Sequence, residues 1–186
     1  ALMKADRFED CLGSYEQALL LLPNYVDALC NHASALQSLG RTEEAMSRLQ
    51  NALLIQPESP DLHWNLALTA LQNGDYEIGW REYEWRWKMP TYINFSRDFK
   101  VPAWDGKALD GETLFIHTEQ GFGDNLQFCR YIPMVVAKGA RVVLESRPEL
   151  TRLLAKFPQV AECINLDDAV PDCDYHIPLM SLPRIF

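Results

Sequence analysis

The chain has 186 residues, 48% hydrophobic and 11% aromatic, with 17 basic and 26 acidic side chains and a formal net charge of −9 at pH 7. This is enough apolar material for packed cores, and no run of about 18 apolar residues is present to span a membrane. The acidic balance argues against nucleic-acid binding, which needs a basic face to displace counterions from phosphates. The charges divide as 7 basic against 13 acidic residues up to Pro90 and 10 against 13 after it. Composition changes at the same place, so the expected organisation is repeats over 1–90, a linker over 91–110 and an α/β segment over 111–186.

Five cysteines, Cys11, Cys30, Cys129, Cys163 and Cys173, form an odd set without C-x-x-C spacing and mostly fall in apolar periodic segments. They read as small buried residues of a reducing compartment, so a cytoplasmic location is expected. His32, His63, His117 and His176 lack zinc-ligand spacing, and no metal is expected.

Pro23 and Pro57 stand 34 residues apart, and the residues around them repeat at that offset. Ala18 falls on Ala52, Cys11 on Ala45, Tyr15 on Leu49, Ala33 on Ala67, Gly40 on Gly74 and Leu49 on Tyr83. Small residues thus fall on small ones and large on large, with prolines ending the second helix of each pair. This pattern resembles the tetratricopeptide repeat, in which two antiparallel helices approach closely only where a small residue faces a large one. Gly40 and Gly74 then lie at the turn inside each pair. In this register Ala1 sits about nine positions into a repeat, and further repeats are expected upstream.

Residues 60–90 form a third, divergent repeat whose small position is Gly79. Tyr76, Trp80, Tyr83 and Trp87 follow i, i+4, i+7, i+11, a single helical stripe expected to be buried, either as a terminal cap of the array or as a docking surface for the second domain. On the first helices, Asn31 and Asn65 share a register position, as do Asp27 and Asp61. An asparagine amide both donates and accepts, matching a peptide group. A ladder of such residues on the concave face can therefore hold an extended protein or peptide partner; the alternative is a solvated polar face.

Beyond an aromatic, aperiodic stretch at Thr91–Ala103, strands alternate with helices. Leu114–His117, Arg141–Glu145, Val160–Leu166 and Tyr175–Leu179 are the expected strands. Ser146-x-x-Glu149 with Pro148 reads as a capping box opening a helix that runs to Phe157-Pro158. The β-α-β-α-β order predicts a parallel sheet, the start of a Rossmann-like domain, whose ligands sit at strand carboxyl ends. Gly121-Phe122-Gly123-Asp124 lies at such a point, its glycines read as allowing a tight turn and close ligand approach. Leu126 stands where a dinucleotide fingerprint needs glycine, and no G-K-[ST] follows, so a simple nucleotide-binding domain is disfavoured.

The repeats, Gly79-Trp80 with Tyr83-Glu84-Trp85-Arg86-Trp87, the run from Ile116 through Gly121-Phe122-Gly123-Asp124 to Phe128, and Pro178–Pro183 together resemble bacterial repeat-containing glycosyltransferase-like proteins. The module order is similar to O-linked N-acetylglucosamine transferases, and Gly123-Asp124-x-Leu126 resembles the glycine-aspartate turn of heptosyltransferases. The resemblance implies a GT-B architecture, two Rossmann-like domains around a cleft, and sugar transfer to a protein or glycan acceptor. By the same resemblance Asp124 is the base for the acceptor hydroxyl; its alternative role is a helix N-cap. His117 is a candidate for substrate or phosphate binding, or a hydrogen-bonded histidine at the core edge. Glu119, Gln120, Gly121 and Gly123 are the accompanying substrate-binding candidates. The chain ends at Phe186 after about four strands, so the second domain, with its nucleotide-sugar donor, is expected only in a longer protein. No cofactor and no turnover are expected of this chain alone. The competing expectation is a non-catalytic repeat scaffold that binds a partner peptide.

Overall fold

The computed structural model describes residues 7–92, 96–119 and 121–186. The chain divides into two compact units, Ala1–Ser96 and Arg97–Phe186, the first helical and the second built on a parallel sheet.

In the first unit, α1 (Phe8–Leu21), α2 (Val26–Ser38), α3 (Thr42–Ile55), α4 (Pro60–Asn73) and α5 (Tyr76–Tyr83) each pack on the next, and α2 also packs beside α4. Local chemistry sets the starts of α4 and α5. Ser59 accepts the Leu62 N–H with Pro60 at the first helical position, and Asp75 accepts the Ile78 N–H. The turns after α2 and α4 use left-handed backbone at Gly40 (φ 74°) and Gly74 (φ 82°). Ala33, Ala45, Ala52 and Ala67 are buried with Leu49, the small-against-large packing read from the 34-residue register, whereas Ala18 is half-buried. Between repeats, the Gln37 side chain donates to that of Gln72, and Gln56 Nε2 donates to the Asn24 carbonyl at 2.8 Å.

Gly79 is the small position of the last helix. A Cβ added there would lie 2.6 Å from Leu71 Cδ2 and 3.1 Å from the Leu71 backbone nitrogen, so α5 approaches α4 as closely as its backbone allows. Gly79→Ala is therefore expected to cost about 1–3 kcal/mol. Gly13, on an open helix face with nothing near an added Cβ, should instead gain up to about 1 kcal/mol as alanine. Melting curves of the two variants check this; shifts of the same sign would break the packing assignment.

The expected aromatic stripe is realised only in part. The α-helix ends at Tyr83 and tightens into a 3₁₀ segment, Glu84–Lys88, which changes the phase of the last turn. Tyr76, the first residue of α5, is exposed, while Trp80 and Trp87 are half-buried and Tyr83 is buried. Tyr83 packs against Trp64 (5.2 Å) and Trp80 (5.4 Å). The phase change also buries Arg86, whose guanidinium lies 4.8 Å from the Tyr83 ring and 4.6 Å from that of Trp87 and donates to the Tyr83 carbonyl at 3.2 Å. Trp85 stacks on His63 at 3.5 Å. These rings cover α4 and finish the helical array.

The second unit contains β1 (Thr113–His117), α6 (Phe122–Phe128), α7 (Ile132–Ala137), β2 (Arg141–Ser146), α8 (Pro148–Leu154), β3 (Val160–Asn165), β4 (Tyr175–Pro178) and α9 (Leu182–Ile185). The strands form one parallel sheet in the order β3-β2-β1-β4. β1 is interior, which explains its run of buried Leu114, Phe115 and Ile116. The chain winds outward from β1 to β3 and then returns to place β4 on the other side of β1. The order reverses between β1 and β4, the position at which open parallel sheets place their ligands.

Residues 97–110, within the stretch expected as a linker, belong to this unit. Residues 97–104 form a strap across one sheet face. Arg97 reaches Glu145 of β2, and Phe99 packs on Phe115, His117 and His176. At the outer edge of β4, the His176 N–H donates to the Pro102 carbonyl (3.2 Å), and the Trp104 N–H donates to that of His176 (2.9 Å). Trp104 is buried, its indole N–H donating to the Lys107 carbonyl at 3.0 Å. A strap has no helical or strand period, which is why its sequence shows none; residues 93–95 lie outside the described residues.

The capping box at Ser146 does not form. Ser146 ends β2, the N-cap is Arg147 without a side-chain bond, and Pro148 begins α8. The Ser146 hydroxyl instead bonds that of Thr151 at 2.8 Å, which donates in turn to Asn165 Oδ1 at 2.8 Å. Strand pairing to Asn165 holds Ser146 one residue too early to cap. Among the described residues no helix is long and apolar enough to cross a membrane, and no group of His, Cys, Asp and Glu is placed to hold a metal ion.

Candidate functional site

The carboxyl ends of β1 and β4 carry the candidate site of the second unit. Strand period and parallel register put Phe115, His117 and His176 on one face, since Phe115 stands opposite His176 and His117 opposite Pro178. His117 is buried at the end of β1, its Nε2 lying 3.2 Å from His176 Nδ1. Phe99 covers both imidazoles, 4.7 Å from His117 and 4.0 Å from His176 between ring centroids. Burial, and then the Arg97 cation, hold His176 below the ordinary histidine range. At least one imidazole of the pair must be neutral for the 3.2 Å contact to be a hydrogen bond.

The chain then leaves β1 through Thr118 and Glu119, both buried, and enters α6 at Phe122. Gln120, a candidate substrate-binding residue, lies outside the described residues. Gly121 is the N-cap with extended backbone (φ −71°, ψ −178°), and Gly123 is already helical. Neither needs a glycine for its backbone, which corrects the tight-turn reading. What their missing side chains leave is open space, with nothing within 4 Å of an added Cβ at either position. Asp124 is half-buried at the third position of α6, so the N-cap role falls to Gly121 and not to Asp124. An acidic residue there complements the helix dipole.

A polar network missed by the sequence reading supports this connection. Glu145, fully buried at the end of β2, receives Arg97 Nη1 and Nη2 on its two oxygens, each at 2.7 Å. Its Oε2 also accepts the Thr118 N–H at 3.1 Å. The Thr118 hydroxyl donates to Asn125 Oδ1 (2.8 Å), and Asn125 Nδ2 donates to the Gly121 carbonyl (2.9 Å). The available signal was Glu145 itself, a charge closing the apolar run Val142-Val143-Leu144. Its partner Arg97 is distant in sequence and could not be named. Nearby, Phe99, Lys100 and Val101 of the strap and Val170, Pro171 and Asp172 before β4 line a cavity of about 320 Å³.

In the first unit, Asp27, Asn31 and Asp61 are exposed and Asn65 is half-buried. Asn65 Nδ2 donates to the Asp61 carbonyl at 2.8 Å, so part of its amide is used within α4. The structure places these residues on the adjacent first helices, α2 and α4. Cys30 reports their proximity: burial, then the carboxylates of Asp61 and Asp27, push its thiol up to about 12.

Residues 33–74 match the family described as TPR repeat. The chain is 33% identical over 136 residues to Protein FlbA of Caulobacter vibrioides, an alignment covering 68% of this chain and 22% of the relative. The chain thus matches about a fifth of that relative's length, and the aligned segment is longer than either compact unit. A mutant O-GlcNAc transferase from Thermobaculum terrenum is similar at 14% identity and a TM-score of 0.40, covering 88% of this chain and 39% of that one. That level of similarity bears on neither activity nor substrate. Register, buried alanines, turn glycines and the family match over residues 33–74 agree, and the helical unit of this chain is a tetratricopeptide-repeat-like array.

Proposed function

We propose that this chain is the repeat array and first α/β segment of a GT-B-type glycosyltransferase, whose repeats hold a polypeptide acceptor and whose β1–α6 connection acts on the acceptor hydroxyl. The observation that supports the reading best is positional. His117, Glu119, Gly121, Gly123 and Asp124 occupy one connection at the carboxyl end of an interior strand, beside the order reversal where open parallel sheets place ligands. The motif resemblance supplies the chemistry, and the alignment that runs through both units favours a protein in which the two occur together.

In this reading Asp124 accepts the hydroxyl proton while the acceptor oxygen bonds to the anomeric carbon, and the nucleoside phosphate leaves with the electrons of the broken glycosyl bond. Open space over Gly121 and Gly123 admits the acceptor backbone or sugar. His117 and Glu119 support the connection from its buried side, and Asp27, Asn31, Asp61 and Asn65 contact an extended polypeptide on the concave face. The donor, a nucleotide-sugar, is held by a second domain outside this chain, and the whole protein works in the cytoplasm. Incubating the full-length protein with a panel of labelled nucleotide-sugars tests the proposal. Label should move from at least one donor onto polypeptide; a folded protein that neither binds nor turns over any donor would leave the scaffold reading in its place.

A further inference from the structure

We infer that Glu145 is a positioning residue, which ties the Arg97–Phe99 strap to the β1–α6 connection and thereby fixes the shape in which that connection presents His117 and Asp124. What the connection is positioned for rests on the transferase reading above; how it is held does not.

The inference starts from burial. Glu145 is wholly buried in the sheet, where an ionised carboxylate needs partners for both oxygens. It has three hydrogen bonds, two from Arg97 and one from the Thr118 backbone. The planar guanidinium meets the carboxylate fork with both distances at 2.7 Å, a geometry that fixes orientation as well as charge. Glu145 is therefore a junction between two segments 21 residues apart in sequence, Arg97 and Thr118.

Each arm leads to a candidate site residue. On one side Arg97 carries Phe99, which lies against both His117 and His176. On the other, Thr118 bonds Asn125, whose side-chain and backbone nitrogens both donate to the Gly121 carbonyl, at 2.9 and 3.2 Å. That loop of bonds closes around Gly121–Asn125, the residues that include Asp124. Glu145 touches none of the proposed reacting groups; it acts through Thr118 and Arg97. A network of this kind is satisfied throughout or loosens as a unit.

Glu145→Gln keeps the side chain's size and one acceptor oxygen but turns an N–H₂ group toward the guanidinium. Residue-resolved amide hydrogen exchange on the 186-residue chain reads the consequence. The Asn125 amide, two hydrogen-bonded links from Glu145, should exchange roughly tenfold faster or more, while Val143, Leu144 and Ile177 in the sheet change by less than about threefold. Arg97→Lys keeps the charge but loses the two-pronged bond. It should move Asn125 in the same direction, and it carries the test if Glu145→Gln fails to fold. Unchanged exchange at Asn125, or acceleration shared equally with the sheet amides, would overturn the inference and leave the ion pair a general stabiliser. Neither result depends on whether the full-length protein transfers sugar.

Discussion

Gly139→Ala should remove the second unit's cooperative melting transition at ordinary temperatures or lower it sharply. Gly139 ends the turn before β2 with φ 96°, a conformation costly for any residue with a Cβ. An added Cβ would also stand 1.9 Å from the Leu109 carbonyl oxygen and 2.8 Å from its carbon. Both are backbone atoms, so no side-chain rotation relieves the overlap. The clash would also break the paired contacts Leu109 N–H to the Lys138 carbonyl (2.7 Å) and Gly111 N–H to the Gly139 carbonyl (3.0 Å). Together these imply a loss on the order of 3–5 kcal/mol. Gly111→Ala is the control, because its φ of 89° carries the conformational cost with nothing in the way, and about 1 kcal/mol is expected there. Near-equal melting temperatures for the two variants would show that the Leu109–Gly139 contact does not constrain the fold.

Asp124→Asn in the full-length protein should leave the fold intact and reduce sugar transfer by roughly 10²-fold or more. Since Asp124 stands inside α6 and not at its N-cap, losing its charge removes only a dipole interaction of about 0.3–1 kcal/mol. A 10²-fold rate loss corresponds to about 2.7 kcal/mol of transition-state stabilisation, so the structural and chemical roles separate by size. Transfer rate and melting temperature measured side by side make the distinction. Near-normal turnover would exclude Asp124 as the base.

The repeat half was legible because its register is written in residue size. Ala33 and Ala67 declare themselves at a fixed offset because close packing admits little else there, and Gly40 and Gly74 because their left-handed backbone favours glycine. The interior strands β1 and β2 were legible for a similar reason, since a strand such as Leu114-Phe115-Ile116 is apolar without interruption. The strap was not, because Trp104 is buried and Phe99 half-buried by irregular backbone that carries no period. The glycine turn shows a different limit: the residues were found, but sequence could not distinguish a backbone requirement from open space, and the structure favours open space. Similarly, Ser146 and Glu149 have the spacing of a capping box, yet a strand that runs one residue longer takes Ser146 away from the helix. The Arg97–Glu145 pair was illegible in principle, since its partners are joined only by the fold.

The proposed division of labour has acceptor polypeptide held by the repeats and chemistry performed at the β1–α6 connection. Its most direct test is steady-state transfer by full-length protein carrying Asn31→Ala and Asn65→Ala, measured with a long polypeptide acceptor and with a short peptide bearing the same modified residue. The KM for the long acceptor should rise by roughly tenfold, from two lost hydrogen-bonding amides, with kcat and the short-peptide kinetics unchanged. Unchanged KM for the long acceptor, or an equal loss on both, would contradict it.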